Sequence, residues 1–245
     1  NADSIATKAL TADNGIVKAT GSITVANAVT GLNNGTIHSN SGDVTLIDGA
    51  SNASGAIVAS AGDIKTTDAD ITVADGAELI VASGKAINVG AGDITATNVQ
   101  AGTTITAADV TATNVQAKTL TASGAVTVTD GVLNTTGKGT DKSTITGTLG
   151  LTNSQTQVGD LDVTGAATIE GGSFTGNAVT LSGGGEISNG ATVAVDTLTG
   201  AGQTIKVGSD TDTVTTSLTV NTLNMAGGSL LIDPAWTSGS NVMAV

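Results

Sequence analysis

From Ile16 to Ile232, small clusters of Ile, Val or Leu recur about every five to eight residues, separated by Gly, Asn, Asp, Ser and Ala. Ile23-Thr24-Val25, Val44-Thr45-Leu46, Ile71-Thr72-Val73, Ile87-Asn88-Val89, Val126-Thr127-Val128 and Val193-Ala194-Val195 are examples. They have the apolar-polar-apolar alternation of a short strand, and each is closed by a turn former. No window carries a helical stripe of comparable length. A chain of three-residue strands and tight turns buries its apolar positions efficiently in one way, by coiling so that each turn stacks on the last. The expected fold class is therefore all-β, a β-solenoid.

The composition suits a narrow core. The 245 residues include 34 Gly, one Pro, one Trp, one Phe, no Tyr and no Cys. Large rings contribute much of the buried area in conventional cores; here Ile, Val, Leu and Ala must fill the interior. The charged fraction of 12% against 39% hydrophobic does not fit a charged disordered chain. All eight basic residues are lysines, and 21 acidic residues bring the formal charge to −13. Nucleic acid and anionic membranes, which require a basic surface, are therefore poor partners, and no nucleic-acid partner is expected. The absence of cysteine permits any redox compartment. No apolar stretch approaches the roughly 20 residues that cross a bilayer, so this segment is not expected to insert into a membrane. The chain starts at Asn1 with no signal-peptide pattern and stops in the apolar Asn241-Val242-Met243-Ala244-Val245. Both ends read as cuts, and residues 1–245 are expected to be a single continuous β-solenoid within a longer secreted precursor.

The clearest repeat is Thr95-Ala96-Thr97-Asn98-Val99-Gln100-Ala101, which returns unchanged at Thr111 to Ala117, with Asp93 and Asp109 in the same phase. Elsewhere the clusters are farther apart, so a three-sided rung needs about 20 residues or slightly more, and rungs of unequal length are expected. On the order of twelve rungs about 4.8 Å apart would span roughly 60 Å. Asn98 and Asn114 would then sit one above the other, either as a hydrogen-bonded corner ladder or as the trace of a duplication. Asn134 to Ser143, with two of the lysines, is the best candidate for a loop leaving the coil; Asn33-Asn34-Gly35 and Asp48 to Gly55 are weaker ones.

Little in the sequence supports catalysis. His38, the only histidine, lies in the alternating Thr36-Ile37-His38-Ser39-Asn40 and is expected to point outward into solvent. The pairs Asp68/Asp70, Asp160/Asp162 and Asp210/Asp212 would share one side of a strand, as a cation site or an acid and base would require. With no neighbouring acidic cluster to supply further ligands, they read as exposed turn residues. The pairs Thr95/Thr97, Thr104/Thr106, Thr111/Thr113, Thr119/Thr121, Thr127/Thr129 and Thr144/Thr146 have the texture of an ice-binding face, but threonine is also the default outward residue of strands. Trp236 and Phe174 are the only large rings, and Trp236, after Pro234, is expected to pack rather than bind. No catalytic, cofactor-binding or metal-binding residue is assigned.

Val179-Thr180-Leu181-Ser182-Gly183-Gly184-Gly185-Glu186-Ile187, Gly171-Gly172-Ser173-Phe174, Leu198 to Ile205 and Leu223 to Trp236 resemble passenger domains of bacterial autotransporters and filamentous-haemagglutinin-like surface adhesins. The resemblance implies a right-handed parallel β-helix with about three short strands per rung, displayed outside a Gram-negative cell. The expected function is a non-catalytic structural and adhesive shaft mediating adhesion or self-association, its partners itself or a cell-surface receptor. The alternatives are a self-polymerising filament or surface-layer subunit, a carbohydrate-active β-helix using one Asp pair, and an ice-binding solenoid.

Overall fold

The computed structural model describes residues 2–53, 55–73, 78–209, 212, 214–232 and 243–244. The chain divides into two compact units, Asn1–Ser123 and Gly124–Val245. Both are parallel β-solenoids with three strands per turn, and the turns number about ten. That is somewhat fewer than the sequence spacing suggests.

In the first unit one face stacks Ile16–Ala19, Thr36–Ser39, Ala56–Ala59 and Glu78–Val81, then the second halves of Ile94–Gln100 and Val110–Ala117. A second face stacks Ile5–Thr7, Ile23–Val25, Val44–Leu46, Ile64–Lys65, Ile87–Asn88, Thr104–Ala107 and Thr119–Ala122. The third joins Ala50–Ala53 and Ile71–Val73 to the first halves of the two longer strands. Along the first face Ile16, Thr36, Ala56, Glu78, Asn98 and Asn114 stand in register. The turns between them are unequal, as expected: the longest runs from Ala56 to Glu78 and the shortest from Asn98 to Asn114. The repeated heptapeptide therefore returns after a single turn.

Strand alternation sends every second residue inward, and the register sets like upon like. Ile23, Val44, Ile64, Ile87, Ile105 and Leu120 form one inward column, and Ile37, Ile57, Leu79, Val99 and Val115 another, all at most 2% exposed. Branched aliphatic side chains in one rotamer fit over identical copies of themselves with few voids, which is why so few rings are needed.

The second unit repeats the scheme, with continuous strands of its own. Gln155–Val163, Ser173–Leu181, Thr192–Thr199 and Ser217–Asn224 each run through two faces. Leu149–Thr152, Ala167–Glu170, Gly185–Ser188, Thr204–Val207 and Ser229–Ile232 make the third. Here Val132, Gln155, Ser173, Thr192 and Ser217 are in register, and the turns that separate them again differ in length. Phe174 occupies an inward column between Thr156 and Val193 and is 1% exposed. Its ring fits because Gly176 follows on the same side: a Cβ there would lie 3.3 Å from Phe174 Cε1 and 2.8 Å from Val179 Cγ2. Pro234 and Trp236 lie outside the described residues.

The loop expectations divide. Asn134 and Thr135 belong to the strand Val126–Thr135, and the chain leaves the coil over residues 136–142 through a 3-10 turn at Gly139–Asp141. Asn33-Asn34-Gly35 is a tight corner rather than an excursion, with Asn34 at φ 48° and no room for a side chain at Gly35, whose Cβ would meet Ala12 O at 1.9 Å. Asp48 to Gly55 is no excursion either: Ala50–Ala53 is a strand of the third face, paired to Ile71–Val73 across a register shift. Its polar Ser51 and Asn52 mask a strand signal carried only by alanines.

Two substitutions test the stacked core. Phe174→Ala is expected to destabilise the fold by about 3–5 kcal/mol and Ile87→Ala by about 2–5 kcal/mol, since neither column can close over the void. Urea unfolding followed by circular dichroism reads both; unchanged midpoints would contradict the packing described.

Candidate functional site

His38 occupies an outward position of Thr36–Ser39, as expected, but it is not merely solvated. Its Nε2 lies 2.7 Å from Ser60 Oγ of the next turn. Partial burial and the neighbouring Lys18 ammonium hold its pKa below the ordinary histidine value. Among the described residues the ring's hydrogen bond is to this hydroxyl.

The aspartates turn out to be corner fittings. Just before a strand begins, the N–H of the residue at the bend has no place in the inter-rung ladder and must find another acceptor. Asp43 Oδ1 accepts the Asp63 N–H at 2.9 Å, and Asp63 Oδ1 that of Ala86 at 3.0 Å. A second column is built alike: Asp70 Oδ1 accepts from Asp93 N at 2.9 Å, and Asp93 Oδ1 from Asp109 N at 3.0 Å. Asp68, at φ 53°, accepts the Ala91 N–H at 3.0 Å. Asp68 and Asp70 are thus exposed turn residues, as expected, each with a backbone partner. Asp212 accepts the Asn189 N–H at 2.9 Å, while Asp210 lies outside the described residues. Among the described residues no group of three or more His, Asp or Glu side chains is placed to hold a metal. The missed signal is in the sequence: Gly42-Asp43-Val44, Gly62-Asp63-Ile64, Gly92-Asp93-Ile94 and Gly159-Asp160-Leu161 repeat a Gly-Asp-aliphatic triplet.

Amides act similarly where a strand turns a corner without ending. Asn114 Nδ2 donates to Asn98 Oδ1 at 2.7 Å, which makes the repeated heptapeptide a hydrogen-bonded ladder. The corresponding corner residues of the second unit are Gly159, Asn177, Asp196 and Asn221, and Asn221 Nδ2 donates to Asp196 Oδ1 at 2.7 Å. Among the threonine pairs, Thr104/Thr106 and Thr119/Thr121 are in register, with their first hydroxyls 2.9 Å apart. The Thr106 and Thr121 column continues into Asn88 and Lys65, whereas Thr127 faces Gly150 and Thr144 faces Asp162. Thr95 and Thr111 are also in register, with Thr72 in the same column, so threonines stack over a few turns of the third face without forming one uniform array with the other pairs.

One departure from regularity is the excursion at residues 136–142, held down by the Asp160/Asp162 pair. Both carboxylates point outward from Gln155–Val163, as an i, i+2 pair on one strand must. Asp160 N donates to Gly137 O at 2.7 Å, Asp160 Oδ2 accepts the Gly139 N–H at 2.6 Å, and Lys142 forms an ion pair with Asp162. Gly159 is required beneath this loop, because a Cβ would lie 2.1 Å from Gly137 O. Beside the pinned loop and along the amide corner runs a groove of about 330 Å³, walled by Thr136, Lys138, Gln157, Thr175, Asn177 and Asp196. Thr135 also lines it; this residue is 1% exposed, and its Oγ1 has no hydrogen-bond partner.

Asp160 is shifted below the ordinary carboxylate range: burial pushes it up, but hydrogen bonds from Asn177 Nδ2 at 2.6 Å and from the Gly139 and Ala178 N–H groups outweigh that. Asp43 is lowered chiefly by the Lys65 ammonium, 2.7 Å from Oδ2, and by the Asp63 N–H. Depressed carboxylates contribute stability that is fully present above the unfolded-state pKa of about 4 and is lost as pH falls through the folded-state value. The urea midpoint is therefore expected to drop on acidification below about pH 4, and to drop less in the Asp43→Asn/Asp160→Asn double variant. A pH profile of equal slope in both proteins would show that these contacts do not contribute. Comparison of the chain with protein-family models, with curated proteins and with solved structures gives no match in any of the three.

Proposed function

We propose that the chain is a structural and adhesive β-solenoid of an extracellular surface, acting through association with copies of itself or with a cell-surface receptor. The supporting observation is the register of the outward columns. Ala6, Thr24, Thr45, Lys65, Asn88, Thr106 and Thr121 follow one another on one face of the first unit, and Thr144, Asp162, Thr180, Thr199 and Asn224 on one face of the second. Each face thus presents hydroxyls, amides and charges at a repeat of about 4.8 Å. A second copy has the same repeat, so one lateral contact brings many others into position, each weak and together additive. The resemblance of the second-unit segments to autotransporter passengers adds the placement outside a Gram-negative cell.

Charge opposes this association, since copies carrying −13 repel. Raising ionic strength from about 0.01 M to about 0.15 M shortens the screening length from roughly 30 Å to roughly 8 Å. Sedimentation velocity is expected to show larger species as protein and salt rise, with electron microscopy showing side-by-side particles. Filaments of regular axial repeat would favour the polymerising-subunit alternative. A chain that stays dispersed at every salt and concentration, and that makes displaying cells neither clump nor adhere, would refute the adhesive reading.

A further inference from the structure

The groove beside residues 136–142 has the properties of a built site, and its chemistry is specific. Its wall alternates donors and acceptors: the carboxamides of Gln157 and Asn177, the hydroxyls of Thr136 and Thr175, the Asp196 carboxylate and the Lys138 ammonium. A volume of about 330 Å³ lies at the lower end of small-molecule pockets, the size of one or two sugar rings. The loop that forms one side is anchored at Gly137, Gly139 and Lys142, so the wall is in place before anything binds.

The occupants this site disfavours follow from the fold. Gln155–Val163 and Ser173–Leu181 are paired to each other, and Ser173–Leu181 is paired again to Thr192–Thr199. Their backbone N–H and C=O groups are committed to the ladders, leaving no free strand edge in the groove on which a peptide could add. One ammonium against one carboxylate gives no surplus positive charge, and the chain's −13 repels sulfated or sialylated chains. A sugar hydroxyl, which donates and accepts at once, matches a wall of mixed amides and hydroxyls.

We infer that this groove is a subsite for a neutral, hydroxyl-rich glycan, bound by hydrogen bonds with Gln157, Lys138 and the Asn177 carboxamide, whose Nδ2 also donates to Asp160, and with the Thr175 hydroxyl as acceptor, its proton going to Thr156 O. The inference rests on the adhesive reading and supplies its receptor chemistry. Among the described residues no ring lines the groove to stack on a sugar face, so affinity per site is low and adhesion depends on many copies.

The test is saturation-transfer NMR on the full chain with neutral mono- to trisaccharides and with sialylated and sulfated counterparts. Neutral sugars are expected to bind at millimolar concentration, and Lys138→Ala/Gln157→Ala is expected to weaken them at least about tenfold with the melting temperature unchanged. Thr24→Ala, on the other unit, is expected to leave binding as it was. Absence of neutral-sugar binding, preference for the acidic counterparts, or binding indifferent to Lys138→Ala/Gln157→Ala would each overturn the inference. None of these results bears on salt-dependent self-association, so the groove can fail while the adhesive reading stands.

Discussion

The hydrogen bond from one turn to the next is the interaction on which the rest depends. A parallel ladder holds consecutive turns in a fixed register, so each residue has one neighbour below and one above. Ile64 meets Val44 and Ile87; Asn114 meets Asn98. Side-chain choice is then a problem in columns rather than in a three-dimensional core. A column of branched aliphatics closes on itself, and one large residue must be compensated locally, as Phe174 is by Gly176. The narrow interior and the scarcity of rings are two expressions of the same constraint.

Corners are where the ladder fails, and they explain the charge. At some bends a backbone N–H has no carbonyl partner in the ladder, and a short acceptor side chain one turn below is the simplest replacement. Asp43, Asp63, Asp70 and Asp93 serve in this way. Left-handed bends add Asn14, Asn34, Asp130, Asn153 and Asn189, residue types that tolerate positive φ. Lysine has no equivalent task, since it donates only. Part of the acidity is therefore structural, and Lys65, set against Asp43 and Asp63 at 2.7 and 3.4 Å, relieves one of the stacked carboxylate pairs.

The fold class was legible because strand alternation and turn chemistry are local signals, and the Asn98/Asn114 stack because its heptapeptide repeats without change. Ala50–Ala53 was hidden, since alanine carries little strand signal and the segment is defined by its pairing with Ile71–Val73. The corner aspartates were visible as residues but not as acceptors: the backbone group that binds Asp63 belongs to Ala86, a full turn farther along the chain. The groove was illegible for the same reason. Lys138, Gln157, Thr175, Asn177 and Asp196 come together only once the lengths of three successive turns are known.

Unequal turn length is the means by which such a solenoid gains features without losing its stack. A turn's contribution to the ladder depends on its strands, and the cost of closing a longer bend rises only with the logarithm of its length. The turn from Val132 to Gln155 is longer than the next, from Gln155 to Ser173. The extra length is taken up at residues 136–142, which leave the face and return to it with the register between Thr135 and Val158 intact. Side chains added there are held by the strand beneath, through Asp160 and Asp162, yet are exempt from the column rule that governs the outward positions of the paired strands. The regular faces can only repeat what the register dictates, so specificity toward anything other than another copy of the repeat has to arise where a turn is longer than its neighbours.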